Sequence, residues 1–402
     1  MSLPISRTEL IALVAAMFAC VAFSIDSMLP ALPEMAAELS PDDANAVGMV
    51  LTIFVLGLGT GTFVTGPLSD AFGRKPVIII GALLFIGASA LAWRAPSLEL
   101  VLLARFLQGL AAAAPRIVAL AVLRDVFAGR AMAQVMSFVM MVFMIVPALA
   151  PLLGSFIINA LGWHGIFLAF MIFMGLIAIW VSIRLPETLP VENRRPVRLP
   201  VLWSAMREML AHPTVRLSIL VQALSMGILF SMITLIQPIY DQVFDRADSF
   251  PYWFGGVAVV SGSASLVNAA LVVRLGMRRM VTWTYLGQMI VSATVLVLFH
   301  LDLAAGPTFA VFVAWQVTVF FMAGLTMGNL NAIAMEPMGH IAGLAASIIG
   351  GIATVLAAPI ATAVGLAFDG TARPLALGIL VLSIGGFVLM RAMARTETRQ
   401  PA

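Results

Sequence analysis

Three charged residues, Asp26, Arg105 and Arg116, stand inside long apolar runs of this sequence. An ionised side chain is costly there, so each of them is a candidate for function. A carboxyl group in such surroundings can bind and release a proton, because burial disfavours its ionised form and an approaching guanidinium favours it. We expect Asp26 to carry or gate a proton and Arg105 to tune that step. The alternatives are a permanent Asp26–Arg105 ion pair, or Asp26 capping a helix break before Pro30.

The spacing of these residues predicts their depth. If the first apolar run begins near residue 9, Asp26 lies roughly 24 Å along its helix, in the outer half. Arg105 enters the fourth run from the other side and lies roughly 10 Å below the same face, so the two side chains could meet. Arg116 follows roughly 16 Å further along the fourth helix and faces the same way as Arg105. The two arginines form a polar stripe on this helix, and Gln108 lies near it. Arg116 could contact substrate or gate an inner cavity; it could as readily reach the headgroups or hold a neighbouring helix.

The elements that must position these side chains are membrane-spanning helices. Of the 402 residues, 62% are hydrophobic and 10% are charged, and the mean hydropathy is +1.07. Soluble domains carry about 25% charged residues, so a soluble fold is excluded, and the apolar runs are too long for barrel strands. The sequence predicts an all-α polytopic membrane protein. Its twelve expected spans are 9–30, 46–66, 76–94, 98–122, 133–160, 165–184, 216–240, 251–273, 280–300, 308–334, 343–367 and 374–393.

A polar segment divides these spans into two sets of six. Residues 186–215 are rich in charge and proline, and they form the predicted cytoplasmic linker between an N-terminal bundle, 1–185, and a C-terminal bundle, 216–402. The turn that contains Gly73 is echoed by the turn that contains Gly276, at an offset of 203 residues. Such an internal repeat is typical of transporters built from two bundles around a midplane cavity.

The placement of arginine and lysine predicts that both termini are cytoplasmic. Seventeen basic residues then fall in inner segments and three in outer ones, and the outer segments are acidic. This is a strong positive-inside bias, so the net charge of +3 reflects orientation and no nucleic-acid partner is expected. The inner residues are Arg7, Arg74, Lys75, Arg124, Arg130, Arg184, Arg194, Arg195, Arg198, Arg207, Arg216, Arg274, Arg278, Arg279, Arg391, Arg395 and Arg399. The outer ones are Arg94, Arg246 and Arg373, among acidic residues that include Glu99, Asp302 and Asp369.

Polar and methionine side chains within the runs are candidates for a substrate cavity. Hydrogen bonding between helices is the ordinary role of such polar residues. Gln237, Asn329 and Asn331 are the better cavity candidates, because they lie where the helix is locally disturbed. The methionines of the fifth run could form an adaptable surface for varied ligands or be ordinary core and lipid-facing groups. These are Met132, Met136, Met140, Met141 and Met144.

Enzyme chemistry is not predicted. The chain has no Gly-x-x-x-x-Gly-Lys-Ser/Thr phosphate loop, so we do not expect it to use ATP. Its four histidines lack the spacing of a metal site, and its one cysteine, Cys20, excludes an intramolecular disulfide. The first apolar run is expected to be a retained helix and not a signal peptide. We expect no cofactor and no metal, with a proton gradient as the energy source.

Several motifs are similar to those of a known family. Gly66, Asp70, Gly73, Arg74 and Lys75 resemble the signature loop of the major facilitator superfamily. The segment from Arg105 through Gln108 to Gly109 resembles that superfamily's fourth-helix motif. The segments from Asp26 to Pro33 and from Pro147 through Pro151 to Gly154 resemble the first- and fifth-helix motifs of its twelve-helix drug/proton antiporters.

Finer features are similar to the Bcr/CflA drug-resistance subfamily. They are Arg124-Asp125, the segment 146–151, and the segment 331–340. Two departures stand out: Ala71 replaces a frequent basic residue of the signature loop, and Ala150 and Ser155 replace glycines of the fifth-helix motif. The second departure weakens the antiport interpretation, because close glycine packing there is associated with antiport.

The resemblance covers essentially the whole chain and implies a major facilitator fold, with two six-helix bundles related by pseudo-two-fold symmetry, in a bacterial inner membrane. It implies a proton-coupled exporter of small, partly hydrophobic compounds such as antibiotics, acting by alternating access as a monomer. Its partners would be a small-molecule substrate, protons and the lipid bilayer. It also implies that Asp70 meets Arg124 or a neighbouring helix N-terminus in the outward-open state. The alternatives are a metabolite symporter or uniporter of the same fold, and a transport-inactive receptor.

Overall fold

The structure is a computed structural model that describes residues 5–127, 129–197, 199–301 and 304–397. Within these ranges it describes all side chains except those of residues 129, 130, 133, 137, 141–144, 199, 201, 342, 343 and 397. Every regular element in the described ranges is a helix. The chain divides into two compact units, Met1–Arg198 and Leu199–Ala402.

The first unit contains helices α1 to α7 in its described part. Helix α5 packs against α3 and α4, α4 also packs against α7, and α1 packs against α6. Serine caps begin two of these helices: Ser6 Oγ accepts from Glu9 N at the start of α1, and Ser97 Oγ accepts from Leu100 N at the start of α5. The helices are α1 Arg7–Asp26, α2 Leu32–Leu39, α3 Met49–Phe72, α4 Arg74–Trp93, α5 Leu98–Val126, α6 Gly129–Leu161 and α7 His164–Arg184, with short 3₁₀ turns at Leu29–Ala31, Ala44–Gly48 and Val191–Asn193.

The second unit contains helices α8 to α15 in its described part. Helix α9 packs against α13, α14 and α15, and α12 packs against α13 and α15. The helices are α8 Leu199–Ala211, α9 Pro213–Pro238, α10 Phe250–Gly262, α11 Ala264–Leu275, α12 Met277–Leu298, α13 Ala305–Met335, α14 Ala342–Leu366 and α15 Arg373–Glu397, with a π-turn at Ile239–Val243 and a 3₁₀ segment at Glu336–Ile341.

Twelve helical segments of the described chain are long and apolar enough to cross a membrane, which confirms the predicted number of spans. Several boundaries differ from the prediction, and one predicted span is divided. The first span continues to Leu39, because Pro30 and Pro33 begin new short helices after the end of α1. The predicted span 251–273 is two helices, α10 and α11, which meet at Ser263.

The predicted linker is only partly extended. Its second half forms α8, a helix that the polar composition did not predict. Ala205 and Met209 of α8 are buried in a core cluster with Val215 and Ile219 of α9. The linker's first half stays with the first unit, where the backbone N–H of Arg195 donates to the Asp70 carbonyl at 2.9 Å.

Large apolar side chains on the outward helix faces account for the composition. On α7, Ile172, Leu176, Ile179 and Ile183 recur every three or four residues and are all exposed. In water such a stripe would be costly, whereas in lipid it is not. Cys20, by contrast, is buried in α1.

Some of the residues used to predict orientation and ligand binding are not described. Arg198, Asp302 and Arg399 lie outside the described residues, as do the side chains of Arg130, Met141 and Met144.

Candidate functional site

Asp26 is the last residue of α1, and its side chain is buried at 5% exposure. The helix ends there because the next turn is 3₁₀ and contains Pro30. Neighbouring hydroxyls are used by the helix itself: Ser24 Oγ donates to the Cys20 carbonyl at 2.7 Å, and Ser27 Oγ to that of Phe23 at 2.6 Å. The Asp26 carboxyl group accepts no hydrogen bond and forms no ion pair within the described part of the chain.

Arg105 of α5 is fully buried and joins three helices. Its Nη2 donates to the Ser24 carbonyl of α1 at 3.0 Å, and its Nε donates to the Val50 carbonyl of α3 at 3.0 Å. Its Nη1 donates to Gln108 Oε1. The guanidinium carbon lies 4.3 Å from the centre of the Phe54 ring. The guanidinium is therefore satisfied by neutral groups.

The permanent Asp26–Arg105 ion pair, one of the predicted alternatives, does not form. The predicted depths are compatible with the structure, since Arg105 reaches α1 at Ser24, two residues before Asp26. Backbone carbonyls and Gln108 take the guanidinium donors instead of the carboxylate. The network continues to α4, because Gln108 Nε2 donates to Ser89 Oγ at 2.6 Å.

Gly154 of α6 brings the predicted fifth-helix motif against the end of α1. A Cβ atom on Gly154 would lie 2.2 Å from the Ser27 carbonyl oxygen, so only glycine permits this approach. Pro151 and Ala150 are buried in the same stretch, and Pro147 is half-buried one turn earlier. The structure thus places the motif beside the residue that follows Asp26.

The other predicted cavity residues differ in how their polar groups are used. Arg116 and Asn331 are half-buried, and Gln237 is buried just before the π-turn; none of the three has a partner among the described residues. Asn329 Nδ2 donates to Asn268 Oδ1 at 2.7 Å and to the Leu325 carbonyl at 2.8 Å, which is the interhelical role expected of such residues. Met140 is half-buried, and the side chain of Met144 lies outside the described set.

A second polar cluster surrounds the signature loop. Gly73 has φ of +103°, which glycine adopts readily, and it ends α3 and starts α4. The first two amides of α4 donate to Glu187, from Arg74 to Oε1 at 2.9 Å and from Lys75 to Oε2 at 3.2 Å. Glu187 therefore caps α4 from a segment far along the chain, an arrangement favoured by the helix dipole.

The side chain of Arg74 closes this cluster. Its Nε pairs with Asp125 Oδ2 at 3.0 Å, and its Nη1 donates to Ser69 Oγ at 2.8 Å and also to Asp70. Thr188 Oγ1 donates to the same Asp125 oxygen at 2.9 Å. We call Ser69, Asp70, Arg74, Asp125 and Glu187 the Arg74 clasp.

The remaining predicted loop residues take separate positions. Lys75 Nζ donates to the Ser182 carbonyl at 2.8 Å. The Gly66 carbonyl accepts from Ser69 Oγ at 2.9 Å. Asp70 pairs here with Arg74, the first residue of α4, whereas Arg124 is exposed with no ion pair among the described residues. The contact with Arg124 or a helix N-terminus expected for the outward-open state stays a prediction. One helical step of about 100° puts Asp125, not Arg124, on the face that meets the loop.

Sequence reasoning missed Asp125 and Glu187 as clasp residues. Glu187 was grouped with the linker charges, although its place directly after Pro186 at the end of the sixth span was a usable signal. It also missed the buried tyrosines of the second unit. Tyr240 donates to Gln316 at 2.9 Å, and Tyr285 donates to the Val221 carbonyl at 2.8 Å.

Comparisons with known proteins agree with this architecture. The family profile described as Major Facilitator Superfamily matches residues 14–362. The multidrug resistance protein MdtL of Salmonella heidelberg is 30% identical over 382 residues, covering 92% of this chain and 91% of that protein. A bicyclomycin resistance protein homolog of Haemophilus influenzae is 29% identical over 385 residues, covering 92% of this chain and 91% of its own length.

A solved structure shares the fold at low sequence identity. The crystal structure of a D-xylose-proton symporter matches with a TM-score of 0.73 at 14% identity, covering 95% of this chain and 96% of that one. The predicted kinship with drug-resistance members is confirmed by the two relatives' names. Profile, relatives and fold agree over nearly the whole length, and the chain belongs to the Major Facilitator Superfamily.

Proposed function

We propose that this transporter exports small, partly hydrophobic compounds in exchange for protons, with Asp26 as the proton-carrying group. The observation that carries the proposal is the state of Asp26: a carboxyl group at the end of a membrane helix, buried and without a described partner. An ionised carboxylate in that position is costly. Taking up and giving up a proton is therefore the change of state that this residue can undergo as its surroundings open and close.

Arg105 acts in this proposal as a positioning residue. It holds the backbone of α1 at Ser24, close to Asp26, and fixes α1 relative to α3. A shift of α1 that carried Asp26 toward the guanidinium would stabilise the carboxylate and favour proton release. The close contact of Gly154 with Ser27 would transmit movements of α6 to the same place.

The Arg74 clasp serves as the gate on the cytoplasmic side in this proposal. Its contacts join the ends of α3 and α5 and the segment after α7 to the start of α4. Alternating access requires two states of similar free energy. A clasp that forms in only one of them adds contacts that stabilise that state relative to the other. The arginine bias supports an orientation in which the clasp and both termini face the cytoplasm. The resemblance to drug-resistance members supports a bacterial inner membrane as the location.

The substrate class rests on the relatives and on the polar groups left unused. The two relatives are named for resistance to several drugs and to bicyclomycin. Arg116, Gln237 and Asn331 have no partner in the described structure, so each is a candidate to bind substrate, and half-buried Met140 is an apolar candidate.

Two experiments test the proposal. In an efflux-deficient host, we expect the protein to confer resistance to members of a toxic-compound panel, and an uncoupler to remove that resistance. Resistance to no compound, or resistance that the uncoupler leaves unchanged, would favour a metabolite transporter of the same fold.

The second experiment uses purified protein in vesicles with an imposed pH gradient. We expect Asp26→Asn to abolish substrate-driven proton movement, because the amide cannot exchange a proton. Glu99→Gln is the matched control: it removes an exposed carboxylate at the start of α5, and we expect coupling to stay intact. Full proton-coupled export by Asp26→Asn would refute the role of this residue.

A further inference from the structure

A basic cleft lies in the second unit between the start of α12 and the end of α15. Its volume is about 340 Å³. Arg278 and Arg279 line it from α12 and Arg391 from α15, together with the aromatic side chains of Trp283 and Phe387. The signature-loop resemblance and the proposed transport cycle use none of these five residues.

We infer that this cleft binds the phosphate headgroup of an anionic phospholipid. Three arginines line it, and one of them, Arg278, pairs through Nη2 with Glu336 Oε2 at 2.7 Å. Arg279 and Arg391 form no ion pair with any described residue. The cleft therefore carries an excess of positive charge, and the planar guanidinium fork matches phosphate oxygens.

The walls of the cleft fit a lipid better than a free anion. Trp283 is 64% exposed, and indole rings favour the headgroup level of a bilayer. Leu286 and Phe387 lie further along the two helices in the same cleft. Beyond them, exposed apolar side chains continue the surface on both helices, including Ile290 of α12 and Ile384 of α15. Acyl chains could follow this surface while the phosphate remains among the arginines.

The predicted side of the membrane also fits an anionic lipid. All three arginines belong to segments that the positive-inside bias assigns to the cytoplasm. The cytoplasmic leaflet is the one that attracts basic residues through its anionic lipids. A lipid bound to both α12 and α15 would bridge two helices that pack directly on each other, so binding should stabilise the second unit.

The test is a lipid titration of the full-length protein in detergent by native mass spectrometry, with phosphatidylglycerol as the probe and phosphatidylcholine and glycerol 3-phosphate as comparisons. We expect phosphatidylglycerol to bind most tightly to the wild type. The double variant Arg279→Gln/Arg391→Gln should weaken its binding about thirtyfold, from roughly tenfold per 1.4 kcal/mol and about 1 kcal/mol for each basic residue.

The matched control is Arg216→Gln/Arg274→Gln, which removes two exposed arginines of the same unit outside the cleft and should leave binding within about twofold. Equal losses in both double variants, or equal binding of phosphatidylcholine, would overturn the site. Equal binding of glycerol 3-phosphate would assign the cleft to a soluble phosphate compound instead.

A second measurement does not depend on the arginine variants. Phosphatidylglycerol with brominated acyl chains should quench tryptophan fluorescence more than its phosphatidylcholine counterpart. That difference should disappear in Trp283→Phe. A difference that persists in Trp283→Phe would place the bound lipid elsewhere and overturn the inference.

Discussion

The two turns that lie 203 residues apart are alike in backbone and different in charge. Gly73 has φ of +103° and Gly276 has φ of +80°, and each separates one helix from the next. At the first turn, Glu187 takes the amides of the new helix. At the second, the side chain of Arg278 in the first turn of α12 pairs with Glu336. The same turn conformation therefore occurs in two different surroundings, the Arg74 clasp and the basic cleft.

The interiors of the two units also differ in the charge that they bury. The first unit buries Arg105 in a network that satisfies its donors. The second unit buries neutral amides and hydroxyls, and some of them, such as Gln222 Oε1 and Ser383 Oγ, have no described partner. The buried charged side chains are concentrated in the first unit, so the two halves differ in the kind of polar group that they bury.

The largest expected effect concerns the two interiors. We expect Arg105→Met to lower the free energy of unfolding by roughly 3 kcal/mol, because two carbonyls and Gln108 lose their partner in a buried place. Gln288→Met in the second unit should cost about 1 kcal/mol, since the amide makes one described hydrogen bond, to Ser292. Thermal unfolding in detergent measures both. Equal losses would break the contrast between the units.

The two glycines test the turns directly. We expect Gly276→Ala to cost about 2 kcal/mol, because a side chain is strained at this φ and ψ. Gly73→Ala should cost about 1 kcal/mol more, since its new Cβ would also lie 2.5 Å from Glu187 Oε2. The measurement is the difference in unfolding temperature between the variants. A smaller effect at Gly73 would show that Glu187 is not held against the turn.

Substitutions of Arg74 and Arg278 test whether the cations of the two turns contribute differently to stability. Arg74→Gln removes a mostly buried guanidinium with three described side-chain acceptors, and we expect a loss of about 2 kcal/mol. Arg278→Gln should cost less than about 1 kcal/mol, because its pair with Glu336 is well exposed. High salt should shrink the Arg278 effect more than the Arg74 effect. The reverse salt dependence would contradict the assignment of Arg74 to a closed clasp.

The smallest expected effect concerns two buried serines. Ser89→Ala should cost about 1 kcal/mol, because Ser89 Oγ accepts from Gln108 in the Arg105 network. Ser383→Ala should stay within about 0.5 kcal/mol, since its hydroxyl has no described partner to lose. A chemical denaturation series can resolve the two. If Ser383→Ala proves the costlier change, the second unit holds a polar contact that the static structure lacks.

The sequence was sufficient for the number of spans and for the approach of Arg105 to the end of α1. Helix length, hydropathy and a rise per residue depend on local sequence, and these predictions agree with the structure. It was not sufficient to decide which acceptor Arg105 would choose, because Asp26 and the Ser24 carbonyl are only two residues apart. That choice depends on the packing of three helices, which one local pattern cannot determine.

The contacts of the Arg74 clasp could not be predicted from local sequence either. Its partner Glu187 lies 113 residues from Arg74 in the chain, so no local pattern connects them. Arg124 and Asp125 are adjacent, and the rotation of α5 alone decides which of them meets the loop. The short helix α8 was hidden for a related reason: a polar composition describes its exposed face, while Ala205 and Met209 form its buried one.

The burial of Cys20 in α1 makes the natural chain a convenient background for thiol labelling. It is the chain's one cysteine, and its side chain is 1% exposed, so a water-soluble maleimide should leave the native protein unmodified. A cysteine introduced beside the Arg74 clasp or in the basic cleft would then report solvent access at that position alone. Labelling rates at the two positions, with and without substrate, could follow the opening of each unit without first removing a native thiol.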